Sequence, residues 1–365
     1  MGATSRLASR LAHRNGVAVL DGGMGTGLAG AGLDTRECWT AGWRLDEGLI
    51  RGAVLATHLA YLRAGADVLT ANTYRTSQTR LWNMGMAATA AEAQRLEAQH
   101  IAANVAVARD AIESWQQEAG GPGAAPAPLL AASIGTYATS MMTRSETANR
   151  VGGDLAAERI SGFGIGQAAL EEHHSSHARN ALAAGADLLA FETIVDLVEA
   201  RAIAAVVAEL QAQVPAGRQR VEAWVSFTCR EGGSGVVTDH GDELSDCFEA
   251  LAGIESIVGI GFNCTEPVLA PALLETARNM CGEKVVVCYP NSGEVYDMSA
   301  GTASTTGGSK WRRLPDAPEA GPAEFAAMAQ SWAAQGAQVL GGCCRIGPEH
   351  IRALSDAFPR GDSGR

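Results

Sequence analysis

The sequence has no apolar run approaching the roughly 20 residues that a bilayer-spanning helix needs, and no apolar signal segment stands at its start. It also lacks a basic face. With 28 Lys and Arg against 40 Asp and Glu, the formal charge is −12, which argues against nucleic acid and anionic membrane as partners, since both demand positive charge. A cationic substrate remains compatible. The eight cysteines (Cys38, Cys229, Cys247, Cys264, Cys281, Cys288, Cys343 and Cys344) do not form the paired C-x-x-C knuckles of a zinc finger. In a long chain without a signal segment they indicate a reducing, cytoplasmic setting. Internal repeats and linker-like composition are absent as well. The first twenty residues hold no acidic side chain but do hold Arg6, Arg10 and Arg14. That is the composition of a transit peptide, although a short basic helix capping the fold is the plainer reading.

What remains is a globular balance, 47% hydrophobic and 19% charged. Runs of strand length alternate with longer amphipathic segments. Strands are expected at Val17 to Leu20, in Ala66 to Tyr74, at Leu129 to Ile134, Ala186 to Thr193, Glu222 to Thr228, Ser256 to Cys264, Lys284 to Tyr289 and Gln338 to Gly342. Helices are expected at Glu47 to Ala64, Ala88 to Glu118, Leu155 to Ala184, Val195 to Ala212, Glu243 to Ala252, Ala270 to Met280, Ala323 to Ala334 and Pro348 to Ala357. Eight strand-helix units in succession predict an α/β fold, a single-domain (β/α)8 TIM barrel, with a doubly wound sheet as the competitor. The barrel would span residues 17–358, between a basic extension (1–16) and a short tail (359–365). Ala300 to Lys310 reads as a mobile loop.

Polar and thiol side chains recur where the strands end, as in barrel active sites. Asp21, Asn72, Glu192, Cys264, Cys343 and Cys344 all fall there. Three cysteines at strand ends suit an open zinc site, with a fourth position left for water or substrate. The competing reading makes all three ordinary buried thiols. Glu192 ends a strongly apolar strand, where a carboxylate needs a cation or a hydrogen-bond donor; a substrate ammonium and a neighbouring basic side chain both qualify. Asp21, in Asp21-Gly22-Gly23, reads as a turn former. The histidines show no ligand spacing. His174 and His177 read as one solvated helical face, His350 as structural, and Cys229, Cys281 and Cys288 as packing residues.

Several blocks together resemble the homocysteine S-methyltransferase family: Leu20 to Thr26 (LDGGMGT), Ala64 to Tyr74 (AGADVLTANTY), Ala184 to Thr193 (AGADLLAFET), Gly261 to Cys264 (GFNC) and Gly341 to Ile351 (GGCCRIGPEHI). The resemblance runs from about Val17 to Phe358. It implies a (β/α)8 barrel with Zn2+ held by Cys264, Cys343 and Cys344, these cysteines forming the catalytic centre. It further implies Asp21 and Glu192 on the amino group of homocysteine, with Gly22 and the second-strand loop, including Asn72, on its carboxylate. The block Tyr289 to Asp297, followed by Lys310-Trp311, looks like the branch whose methyl donor is S-methylmethionine or S-adenosylmethionine. The expected reaction is methyl transfer from such a sulfonium to homocysteine, giving methionine, with small molecules as the only expected partners.

Alternatives are a betaine or methylfolate donor, a selenol acceptor such as selenohomocysteine or selenocysteine, or a non-catalytic zinc or thiol sensor. A zinc hydrolase is disfavoured, because hydrolytic barrels use histidine and carboxylate ligands. The sequence departs from the family where Gly27 replaces a commonly acidic residue. Thr136 stands where proline is common, and Ile346 where threonine is common. Ser175-Ser176-His177 replaces a common Arg-Pro-Arg. These differences bear on the donor pocket.

Overall fold

The computed structural model describes residues 5–33, 45, 47–121, 126–141, 165–233, 235–296, 311–313 and 321–361. Cys38, the expected loop Ala300 to Lys310, Asp297 and the first part of the helix expected from Leu155 lie outside the described residues. Eight parallel strands form one sheet. They are β1 (Ala18–Val19), β2 (Val68–Ala71), β3 (Leu129–Gly135), β4 (Leu188–Ile194), β5 (Ala223–Phe227), β8 (Ile257–Asn263), β9 (Val285–Tyr289) and β12 (Val339–Leu340). Their order is β1-β12-β9-β8-β5-β4-β3-β2, and a parallel bridge from Leu20 to Val68 joins the two ends. The (β/α)8 barrel is therefore present, and all eight expected strands belong to it.

Around it run α1 (Arg6–Leu11), α2 (Met24–Gly30), α3 (Gly48–Ala64), α4 (Gln78–Asn83), α5 (Ala90–Glu118), α6 (Tyr137–Met141), α7 (Gln167–Ala183), α8 (Leu197–Ala212), α9 (Leu244–Ala252), α10 (Ala270–Met280), α11 (Pro322–Ala334) and α12 (Pro348–Ala357). Two additions were not expected. One is the antiparallel hairpin β6 (Cys229–Gly232) and β7 (Gly235–Thr238), and the other is the antiparallel pair β10 (Glu294–Tyr296) and β11 (Trp311–Arg313).

The repeated Ala-Gly-Ala-Asp blocks have a physical reason. Gly65 and Gly185 adopt φ of 105° and 92° just past α3 and α7, the left-handed conformation that ends a helix and that glycine takes without steric cost. Two residues later the carboxylate accepts a neighbouring strand's N–H. Asp67 takes Val19 N at 3.0 Å and Asp187 takes Leu130 N at 2.9 Å. The strands are apolar because both faces are covered: Leu188, Leu189, Ala190 and Phe191 are all fully buried. Leu7 and Leu11 of α1 join Leu20, Val68, Leu188, Trp224 and Val287 in the barrel interior, so α1 closes the end opposite the strand C-termini. There Arg14 pairs with Asp67 at 2.5 Å.

Among the described residues no helix is long and apolar enough to cross a membrane. His350 caps α12 by accepting Gly347 N at 3.3 Å, and Cys229, Cys281 and Cys288 are buried.

Candidate active site

The C-terminal mouth of the barrel collects the residues singled out above. Cys264 follows β8, and Cys343 and Cys344 follow β12; β9 lies between these two strands in the sheet. The three Sγ atoms lie within 4.8 Å of one another. Here Cys264 and Cys343 form a disulfide with Cα atoms 5.4 Å apart, while Cys344 is a free thiol that burial pushes up to about 11. Reduced, the set suits Zn2+: bonds of about 2.3 Å in a tetrahedron place thiolates about 3.8 Å apart, inside the observed span. The disulfide and the metal compete for the same sulfurs.

Asp21 follows β1 and is only 3% exposed. It is not a turn former. Its carboxylate accepts Thr70 N at 2.8 Å and Thr70 Oγ1 at 3.0 Å, tying β1 to β2. Burial holds it well above the ordinary carboxylate range; the nearby charge of Glu192 adds to this, while the Thr70 bonds oppose it. Glu192, near the end of β4, accepts the Ser133 hydroxyl on Oε1 and the Tyr289 hydroxyl on Oε2 at 3.0 Å. No salt bridge to Glu192 occurs among the described residues. Burial pushes it up to about 7 against those two bonds. Two carboxylates raised by burial and coupled to each other, without a cationic partner, make a place for a cationic group.

Gly22 and Gly23 bring the β1 loop against the β12 loop. A side chain at Gly22 would meet Ile346 O at 2.4 Å, and one at Gly23 would meet Cys343 O at 2.5 Å. On the β2 loop, Asn72 Nδ2 is buried and finds no hydrogen-bond acceptor, an uncommon state for an amide. The same loop contributes two residues that sequence reasoning did not single out. Tyr74 lies near Thr193, Glu192 and Cys344, and burial pushes its hydroxyl well above the ordinary range. Arg75 is pulled down to about 10 by burial and interacts with Tyr74 and Cys344. Thr70 and Ser133 are likewise ordinary strand residues in the sequence, and Tyr289 stands there only as part of the donor block, without its contact to Glu192.

The departures from the family pattern each meet defined neighbours within the chain. Thr136 donates to Glu199 Oε2 at 2.6 Å, and His174 Nε2 meets Glu199 Oε1 at 2.8 Å. His174 and His177 are 0% and 1% exposed, which corrects the solvated-face expectation: this side of α7 packs on Phe191 of β4 and on α8. Burial keeps His174 neutral, down to about 3, and raises Glu199 to about 8, with Asp196 adding to the latter. Ser176 bonds Glu97 and receives Gln78 Nε2 at 2.6 Å, while Ser175 accepts Arg179 Nε at 3.0 Å. Gly27 is pressed on Thr57, whose Cγ2 would lie 2.3 Å from an added Cβ. Ile346 is buried and fills the space beside Gly342.

A family model described as homocysteine S-methyltransferase matches residues 18–358. The chain belongs to the homocysteine S-methyltransferase family. Homocysteine S-methyltransferase 1 of Zea mays is 31% identical over 354 residues, covering 96% of each chain. Selenocysteine Se-methyltransferase of Brassica oleracea var. italica is 29% identical, over 94% of this chain and 89% of its own. Among solved structures, the homocysteine methyltransferase MmuM from Escherichia coli matches in metallated, oxidized and apo forms. Its metallated form gives a TM-score of 0.69 at 26% identity, covering 93% of this chain and 96% of that one. Its oxidized form gives 0.72 at 25%, covering 96% and 99%. As a member of this family the chain is a methyltransferase whose substrates are small molecules.

Proposed function

We propose that the protein transfers a methyl group from a sulfonium donor, S-methylmethionine or S-adenosylmethionine, to the sulfur of homocysteine, giving methionine. The observation that carries this reading is the meeting of three cysteine sulfurs within 4.8 Å beside the buried Asp21 and the half-buried Glu192. Held by Cys264, Cys343 and Cys344, Zn2+ would supply a position at which an acceptor thiol loses its proton. Asp21 and Glu192 would take the acceptor's ammonium group, each carboxylate already held in place by a hydroxyl donor from an adjacent strand, Thr70 and Ser133 respectively. Asn72 Nδ2, the buried amide without an acceptor, would donate to its carboxylate alongside backbone near Gly22.

The chemistry then needs little more from the chain. A new carbon–sulfur bond forms to the acceptor as the donor's methyl–sulfur bond breaks, and the electron pair of the broken bond stays on the departing sulfur. The donor loses its positive charge and leaves as a neutral thioether, so no general acid is required. Rate would come from alignment of the two sulfurs and the methyl group. Three cysteine thiolates outweigh the charge of one Zn2+, and that excess of negative charge would favour a cationic donor. The Tyr289 to Asp297 block supports the sulfonium-using branch. The similarity to a selenocysteine Se-methyltransferase favours testing a selenol acceptor as well.

Purified, reduced protein is incubated with homocysteine and a donor panel of S-methylmethionine, S-adenosylmethionine, betaine and methylfolate, and methionine is quantified with zinc content. Product from the sulfonium donors alone is expected. Cys264→Ala, Cys343→Ala and Cys344→Ala should each lose zinc and transfer together. Full activity of metal-stripped protein would refute the role given to these cysteines, and product only with betaine or methylfolate would overturn the donor class.

A further inference from the structure

Residues 290–292, directly after β9, contact all three cysteines through the backbone. Cys343 N donates to Pro290 O at 2.9 Å, and Ser292 N donates to Cys344 O at 3.2 Å. Between these bonds Asn291 uses both ends of its side-chain amide. Its Nδ2 donates to Cys264 O at 3.0 Å, and its Oδ1 accepts Cys344 N at 3.0 Å. Its own N–H goes to Thr265 O at 3.0 Å, which fixes the residue that does the bridging.

The topology explains why this position can do so. In the sheet β9 lies between β8 and β12, so the residue following β9 emerges between the two loops that bear the cysteines. Cys264 has a φ of 51°, a left-handed conformation that a side-chain-bearing residue holds only when its surroundings impose it. The bond from Asn291 Nδ2 is one such constraint, and it acts on the carbonyl of the strained residue itself. An amide is suited to the task because one group donates on one side and accepts on the other. A carboxylate lacks the donor, and a hydroxyl is too short to span both loops.

We infer that Asn291 is a positioning residue for the three-cysteine centre: it fixes the separation of Cys264 from Cys344 and so tunes how tightly the centre holds a thiophilic divalent cation. This rests on the reading that Cys264, Cys343 and Cys344 hold Zn2+. Asn291 touches no sulfur and acts through the backbone of two ligands, as supporting residues around metal ligands do.

The test uses full-length, fully reduced protein, with zinc affinity measured by competition against a chromophoric chelator. Cobalt substitution reports ligand geometry through the thiolate-to-metal absorption bands. Asn291→Ala and Asn291→Ser should bind zinc about 10- to 100-fold more weakly than the parent, the usual cost of losing a supporting partner, with altered cobalt bands. Ser292→Ala should match the parent, because only the backbone of Ser292 reaches Cys344. Circular dichroism melts identify folded variants, and if Asn291→Ala does not fold, Asn291→Ser decides. Variants that bind zinc within twofold of the parent with unchanged cobalt bands overturn this inference alone. A parent protein that takes up no zinc overturns the metal reading and this inference with it.

Discussion

Replacing Glu192 by glutamine separates the cost of burying this carboxylate from everything else at the mouth. In the free protein Glu192 is pushed up from its ordinary 4.5 to about 7 by burial, even though Ser133 and Tyr289 donate to it. At about 1.4 kcal/mol per pH unit this is on the order of 3 kcal/mol between the protonated and ionised forms. Partial exposure of the side chain makes that an upper value, and about half is a reasonable expectation. The sign follows from linkage. A carboxyl whose folded value lies above its unfolded value binds its proton more tightly when folded, so its contribution is fully present below pH 4.5 and is lost as the pH rises through 7. Wild-type protein should therefore lose about 1–3 kcal/mol relative to Glu192→Gln between pH 5 and pH 8. Urea unfolding of both proteins, reduced and without substrate, at several pH values measures this. An amide facing the Tyr289 hydroxyl adds a constant offset but no slope. Because Asp21 is coupled to Glu192, the difference includes their mutual repulsion. Parallel stability curves across this range would refute the assignment. A second readout uses the proposed acceptor: ionised Glu192 binds an ammonium better, so homocysteine affinity should rise more steeply with pH through 7 in the wild type than in Glu192→Gln, where only the release of the acceptor thiol's proton remains.

Further expectations follow from other contacts. Gly27→Ala forces a methyl against Thr57 Cγ2 and should cost about 1–3 kcal/mol in urea unfolding. Much of that should return when Thr57→Ser removes the clashing methyl, and no recovery would contradict the contact. Asp67→Asn breaks a pair with Arg14 whose two side chains are 0% and 2% exposed, and also weakens the 3.0 Å bond from Arg360. A loss of about 3–5 kcal/mol is expected, checked by the shift of the unfolding midpoint. Thr136→Val removes only the hydroxyl that Glu199 accepts and should cost about 1–3 kcal/mol. Donor KM and zinc content should not move, since this network lies between α7, α8 and β3, and a large change in donor KM would place it in the donor pocket after all.

The strands were legible because a parallel sheet buried on both faces leaves near-continuous apolar runs, such as Leu188 to Phe191. The ends of those runs then pointed to Asp21, Glu192 and the cysteines. The immediate partners of those residues were not legible. Ser133 and Tyr289 reach Glu192 from β3 and β9, 59 and 97 residues away, and a serine or tyrosine in a strand carries no mark of what it faces. His174 and His177 show the same limit. Helical spacing put them on one face, but which neighbour covers that face depends on Glu199, 25 residues beyond His174 and on the following helix. The block Tyr289 to Asp297 reads as a donor signature, yet its Pro290, Asn291 and Ser292 brace the cysteine loops, contacts visible only once β9 is known to lie between β8 and β12.

Thr193, Cys264 and Arg345 are three of the four non-glycine residues with positive φ among the described residues, and all three are at the mouth. Such conformations cost about 1–3 kcal/mol each and persist only where neighbours enforce them. The enforcement is successive. Asn263, the last residue of β8, accepts Thr193 N at 2.7 Å and donates to Thr193 Oγ1 at 2.9 Å, reaching past β5 to β4. Asn291, after β9, reaches back to Cys264 and across to Cys344. Arg345 closes the series, its N–H on Thr26 Oγ1 at 2.9 Å and its guanidinium on Glu294 at 2.6 Å. Two asparagines at successive strand ends thus hold a carboxylate-bearing strand and two cysteine-bearing loops in one continuous set of bonds. Loosening either asparagine should relax the residue it clamps toward ordinary backbone angles and move Glu192 relative to the sulfurs. On this view the separation between Glu192 and the cysteines is set by the strand ends and the two asparagines that join them.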